Sequence, residues 1–259
     1  MPFFKKTMFP SSYQHQDPHT VLYNILSWKS CCYLNDKRNF IASAQNCHCE
    51  QKRTVCLKDP KATYQVASSV LVKTICFMRS LPSFHQLPAE DRLLLLRQCW
   101  VPLFVLGLAQ EQIVFEVTDV PHSSILRQVL LGMVLSEEKA DQPTLAGVHG
   151  LRTCLHQLWS LDLSPKEYAY LKGTILFNPA IQGLSTLLFI KGLQQEAQRA
   201  LQEVTHLLHP EDPSRFSHLL VVANTIQTVS HSLVTELFFK PVIGNMDMLH
   251  LLTEMLFVQ

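Results

Sequence analysis

The chain has 259 residues, 22 basic and 21 acidic side chains and a formal net charge of +1. Leucine is abundant, 41 of 259, glycine is scarce at 8, and charged residues make up 17% against a common share of about 25%. That balance excludes a disordered tail, a collagen and a strongly basic nucleic-acid binder, and points to a helical protein with a large core.

The opening MPFFKKTMFPSSYQ has no apolar stretch of the kind a signal peptide needs. The long uncharged windows between Lys172 and Lys191 and between Arg215 and Glu236 carry Asn178, Pro179, Gln182 and Ser185, then Asn224, Gln227, Ser230 and His231. Each is costly against lipid. The strongest apolar run, Gln98 to Gln110, is too short to span a bilayer. The expectation is an intracellular protein without membrane contact, its eight cysteines free thiols.

In chain order, residues 1–61 hold nine Lys/Arg and four Asp/Glu, a net +5, together with Cys31, Cys32, Cys47, Cys49 and Cys56. They read as a variable N-terminal arm with one helix at about 20–33, where Leu22, Ile25 and Leu26 fall at i, i+3 and i+4. Asp17 or Thr20 can cap it. Cys47-His-Cys49 and Cys56 offer no CxxC pair and no second pair at finger spacing, so they read as loop thiols.

Residues 62–259 hold thirteen basic and seventeen acidic side chains, a net −4, and read as a single helical domain. Val66, Val70, Ile75, Phe77, Met78 and Leu81 predict a helix over 62–82. Over 90–110, Leu93 to Leu96, Trp100, Leu103, Phe104, Leu106 and Leu108 cover almost every face, as in a helix at the middle of a stack. Ile113 to Val117 is the one short segment that reads as a strand. Ser164-Pro-Lys-Glu167 is a capping box with proline at the first helical position, and its helix runs to Asn178-Pro179. Helices are predicted at 186–208, at 215–240 as one long element, and at 248–257.

Enzyme signatures are missing. The chain has no phosphate-binding loop, no GxGxxG, no nucleophile elbow, and twelve histidines without ligand spacing. What is present is an ordered set of three segments. Val72 to Arg97 carries Phe77, Met78, Arg79, Phe84, Leu87, Asp91 and Arg92; Leu163 to Pro179 follows; Arg215 to Leu256 closes the chain, with Leu237-Phe-Phe, Ile243-Gly244 and Leu251-Leu-Thr-Glu254-Met-Leu256. Over about residues 62–259 this set resembles the ligand-binding domain of nuclear receptors.

The resemblance implies an all-α fold, a three-layer antiparallel helical sandwich with one small β-hairpin. It also implies a groove that holds a partner helix. Glu254 would clamp one end of that helix, with Arg79 and Arg97 at the other, over a floor of Leu251, Leu252 and Met255. The charges suit the task, because a helix has unpaired N–H groups at its start and unpaired C=O groups at its end.

Leu22, Ile25 and Leu26 resemble the LxxLL box that enters such a groove, and Leu126, Val129 and Leu130 make a possible second box. A receptor DNA-binding domain needs two four-cysteine zinc modules, for which residues 1–61 have neither the cysteines nor the length. The implied function is a transcriptional corepressor of the nucleus, also present in the cytoplasm. It binds other nuclear receptors, recruits corepressor proteins, pairs as a homo- or heterodimer, and uses neither DNA, metal nor cofactor. The alternative is a ligand-gated lipid sensor. Against it stand Glu111, where many receptors place an arginine that anchors an acidic ligand, and the bulky Met78, Trp100, Phe104 and Phe115.

Overall fold

A computed structural model describes residues 53–119, 142–244 and 246–257. The helix expected at 20–33 and both LxxLL-like boxes, Leu22 with Ile25 and Leu26, and Leu126 with Val129 and Leu130, lie outside the described residues.

Strand β1 is Val55–Leu57 and pairs antiparallel with β2, Val117–Asp119, in the register Val55 to Asp119 and Leu57 to Val117. The two strands stand on either side of three helices in the chain, so the small sheet is a long-range ribbon rather than a local hairpin. β1 lies ahead of the domain start expected at residue 62, within one compact unit over 46–259. The strand expected at 113–117 is displaced to 117–119. The reason is local: Gln112 takes φ +52 and turns the chain, and Phe115 is drawn into the core at 5% exposure while Val114 stays out.

Helix α1, Pro60–Ser80, starts where the Asp59 side chain accepts from the Ala62 amide and proline stands in the first turn. It stops at Leu81, whose extended backbone suits the residue before Pro82. The short α2, Pro82–His85, buries Phe84 and leads into α3, Ala89–Gln110. From Cys99 to Ala109 every residue of α3 is buried, as its all-round apolar sequence requires. At 22 residues α3 is long and apolar enough by itself to cross a membrane, longer than the 98–110 run suggested, but 72% of its most apolar stretch is buried inside the protein. α1, α4, α5, α7 and α10 all pack against it. Gly107 permits the close approach of α1, since a Cβ there would meet Val70 Cγ1 at 2.6 Å.

The remaining helices are α4, Leu145–Ser160; α5, Pro165–Leu176; α6, Leu187–Leu208; α7, Arg215–Ile226; α8, His231–Val234; α9, Lys240–Ile243; and α10, Met248–Phe257. A π-helical turn, Thr235–Phe239, joins α8 to α9. The Ser164 capping box forms as the sequence predicts. The single helix expected over 215–240 is broken. α7 ends at Ile226, residues 227–230 form a turn, and Ser230 caps a new helix by accepting from the Leu233 amide. Serine at that position satisfies a new helix start more readily than it continues an old one.

Candidate functional site

α10 packs on α1 and α3, which brings together the three elements that carry the clamp residues. Arg79 is exposed in the last turn of α1, Arg97 is exposed on α3, and Glu254 is exposed on α10, 3.3 Å from His250 one turn away. Of the expected floor, Leu252 is completely buried, and Leu251 and Met255 are half-buried. Arg97 also lines a cleft of about 610 Å³ with Trp100, His231, Lys240, Met248 and Leu249. At the other end of α10, the Phe257 ring lies 4.8 Å from the Arg92 guanidinium. α10 therefore lies along α3 in the opposite sense, its start by Arg97 to Trp100 and its end by Arg92.

Two buried carboxylates hold the frame of this surface. Asp91, at the start of α3 and 0% exposed, accepts from the Ser185 amide (2.8 Å), the Thr186 amide (2.9 Å), the Thr186 hydroxyl (2.5 Å) and the Ser185 hydroxyl (3.1 Å). It thereby sets a negative charge at the N-terminus of α6, where the helix dipole favours it. Burial acts to raise the Asp91 pKa, but the hydrogen bonds from Thr186 and Ser185 outweigh it and hold the carboxyl below its ordinary value. Glu167 answers two helices at once. It closes the capping box of α5 by accepting from the Ser164 amide, and it pairs with Arg215 of α7 at 2.6 Å. Arg215 also donates to the Leu161 carbonyl at 2.9 Å. Burial pushes the Glu167 pKa up, and Arg215 and Ser164 bring it below the usual carboxylate value.

Aromatic rings of α3 and of the π-helical turn meet in the interior. Phe104 stands 5.2 Å from Phe239 and 5.7 Å from Phe238, and Phe115 is 5.1 Å from Phe238. Trp100 meets Phe239 at 6.1 Å and His231 at 5.8 Å. Met78 is 0% exposed. Burial holds His231 below its ordinary pKa, so its ring is neutral at physiological pH. Glu111 does not face this interior. It sits at the end of α3 and pairs with Lys73 of α1 at 2.8 Å.

A cleft of about 520 Å³ lies apart, lined by uncharged residues of α4 and of the α7–α8 turn, among them Cys154, Gln157, Thr225 and Ser230. No group of three or more His, Cys, Asp or Glu side chains suited to a metal occurs among the described residues. Cys56, Cys76, Cys99 and Cys154 are free thiols, and burial pushes the Cys99 pKa up to about 12.

The sequence marks Asp91 and Arg92 but offers no partner for Asp91 and no role for Phe257. The acidic pair Glu90-Asp91 just ahead of four consecutive leucines was the available signal for Asp91. Nothing along the chain paired Arg215 with Glu167 or Arg92 with Phe257.

Comparison with known proteins defines the class. The family model "Ligand-binding domain of nuclear hormone receptor" matches residues 58–243, so the chain belongs to the nuclear hormone receptors and carries their ligand-binding domain. The chain is 47% identical over 224 residues to nuclear receptor subfamily 0 group B member 2 of Rattus norvegicus, covering 84% of this chain and 86% of the relative. It is 36% identical over 222 residues to nuclear receptor subfamily 0 group B member 1 of Sus scrofa, covering 78% of this chain and 47% of that longer protein. Its fold is similar to the Ultraspiracle ligand-binding domain from Drosophila melanogaster, with a TM-score of 0.56, 23% identity, and 75% and 79% of the two chains covered. Members of this family are nuclear transcription regulators and not enzymes.

Proposed function

We propose that the protein is a transcriptional corepressor that acts through protein contacts. The Leu22, Ile25 and Leu26 box, with Leu126, Val129 and Leu130 as a second, enters the coactivator groove of other nuclear receptors. The domain itself recruits repressor proteins at the surface of α1, α3 and α10, with Arg79 and Arg97 opposed to Glu254. The observation that carries this reading is the aromatic cluster in the interior. Trp100, Phe104, Phe115, Phe238 and Phe239 meet edge to face inside the domain, bulk that leaves less room for a lipid, and Glu111 is paired with Lys73. Control by a lipid is thereby disfavoured and control by partner proteins favoured. The relatives in subfamily 0 group B support it.

The test is a pull-down against a panel of ligand-activated receptors. Leu22→Ala with Leu26→Ala removes two interface leucines, which costs on the order of 2–4 kcal/mol, about 30- to 1000-fold in affinity. Capture equal to that of the unmodified protein, with an unchanged melting curve, would show that these leucines are structural only.

A further inference from the structure

We infer that the cleft between α4 and the α7–α8 turn is a further binding site, for an uncharged molecule with a hydroxylated head and a short aliphatic body. The cleft is separate from the surface of α1, α3 and α10 and from the aromatic cluster. Neither Arg79, Arg97 nor Glu254 lines it, and no aromatic ring does. Its volume of about 520 Å³ lies within the range of small-molecule sites, about 300–1,000 Å³.

The face that α4 turns to the cleft is cut low. Gly147, Gly150, Leu151 and Cys154 fall at i, i+3, i+4 and i+7 and all line it. Gly147 has a packing reason, because a Cβ there would meet both δ-carbons of Leu233 at 3.3 Å. Gly150 has no such reason, because a Cβ there would meet no atom within 4 Å. Glycine inside a helix is less stable than alanine. The structure accounts for Gly150 only by the space its missing side chain leaves in the cleft.

The polar groups of the lining define the ligand. No charged side chain is among them. The Thr144 hydroxyl accepts from the Gly147 amide at 3.2 Å, and the Ser230 hydroxyl accepts from the Leu233 amide at 3.3 Å. Each keeps its own proton to donate. The hydroxyls of Thr153, Thr225 and Thr228 donate to the carbonyls of His149, Val221 and Thr225 at 2.9, 3.0 and 2.7 Å. Each keeps lone pairs that accept. The cleft therefore offers donors and acceptors together, which suits hydroxyl and ester groups. An ion would lose water there and meet no countercharge, which is costly. Leu151, Val229 and Leu233 are buried and give the wall an aliphatic part. With no ring to stack on, a flat aromatic ligand gains little there, and a flexible alkyl chain fits better. A short-chain monoacylglycerol is the simplest molecule of this class.

The test uses the full chain and monooctanoylglycerol below its micelle concentration. Octanoate and octylamine are the charged counterparts of equal chain length. Isothermal titration should show the neutral probe binding about tenfold more tightly than either ion. Gly150→Met fills the cleft from a rigid helix and should weaken that binding about tenfold or more. The same variant should leave receptor capture and the melting curve intact, since the added side chain enters open space. Hydrogen exchange on the unmodified chain is the companion measurement, independent of whether the variant folds. Saturating monooctanoylglycerol should slow the amides of 228–233, the segment that closes the cleft. Equal binding of the three probes, full binding by Gly150→Met, unchanged exchange at 228–233, or no binding of the neutral probe overturns the inference.

Discussion

Asp91 shows how one buried carboxylate can organise two distant segments. It sits in α3 but answers the backbone of Ser185 and Thr186, nearly a hundred residues on. Asp91→Ala leaves two amides and two hydroxyls without their acceptor, and chemical denaturation should show a loss of about 2–4 kcal/mol. Arg215→Met should cost about 3–5 kcal/mol because Glu167 is left charged in the core, whereas adding Glu167→Gln should recover most of the loss. The same two carboxyls set a pH dependence. Both have folded pKa values below the ordinary ones, so their stabilisation is complete above the unfolded values of about 4 and is lost as pH falls through the lower folded values. Thermal melts from pH 6 downward should decline below about pH 4, and more steeply in the unmodified chain than in Asp91→Asn.

Among the elements, the broken helix over 215–243 has the clearest consequence. The turn at 227–230 redirects the chain so that Leu233, Val234, Leu237, Phe238 and Phe239 all reach the core. A straight helix would carry some of them to solvent. The π-helical turn at 235–239 adds to this by setting Phe238 and Phe239 side by side against Phe104. Ser230→Ala removes the cap of α8 and should lower stability by about 1 kcal/mol. Ser230→Gly should cost only a few tenths, and comparing the two melts separates capping from packing.

For the whole molecule, two results are expected. Residues 62–259 are net negative and no recognition module is present in the sequence, so gel shifts should show no sequence-dependent duplex binding that survives moderate salt. The aromatic cluster in the interior should exclude lipids. A fluorescent fatty acid should fail to bind the unmodified chain. Phe104→Ala should open a cavity at a cost of about 3–5 kcal/mol and give the probe a place to enter. Binding of the probe to the unmodified chain at low concentration would instead favour the lipid-sensor alternative.

Much of the architecture was legible along the chain. The boundaries of α6 and α10, the capping box of α5 and the middle position of α3 follow from apolar periodicity and from the chemistry of helix ends, which are local properties. The family of the domain was legible as a resemblance, carried by Phe84, Asp91, the Leu163–Pro179 segment and the last helix. Tertiary structure alone decided the rest. The partner of β2 comes from ahead of α1 because strand pairing depends on which segments meet in space, which periodicity does not encode. The break after Ile226 goes with the burial of Phe238 and Phe239, residues that follow it in the chain. Glu167 finds Arg215, Asp91 finds Thr186, and Phe257 covers Arg92 because the fold brings together residues far apart in sequence. Local composition cannot register such contacts, since their energy appears only when water is excluded between elements that have already packed.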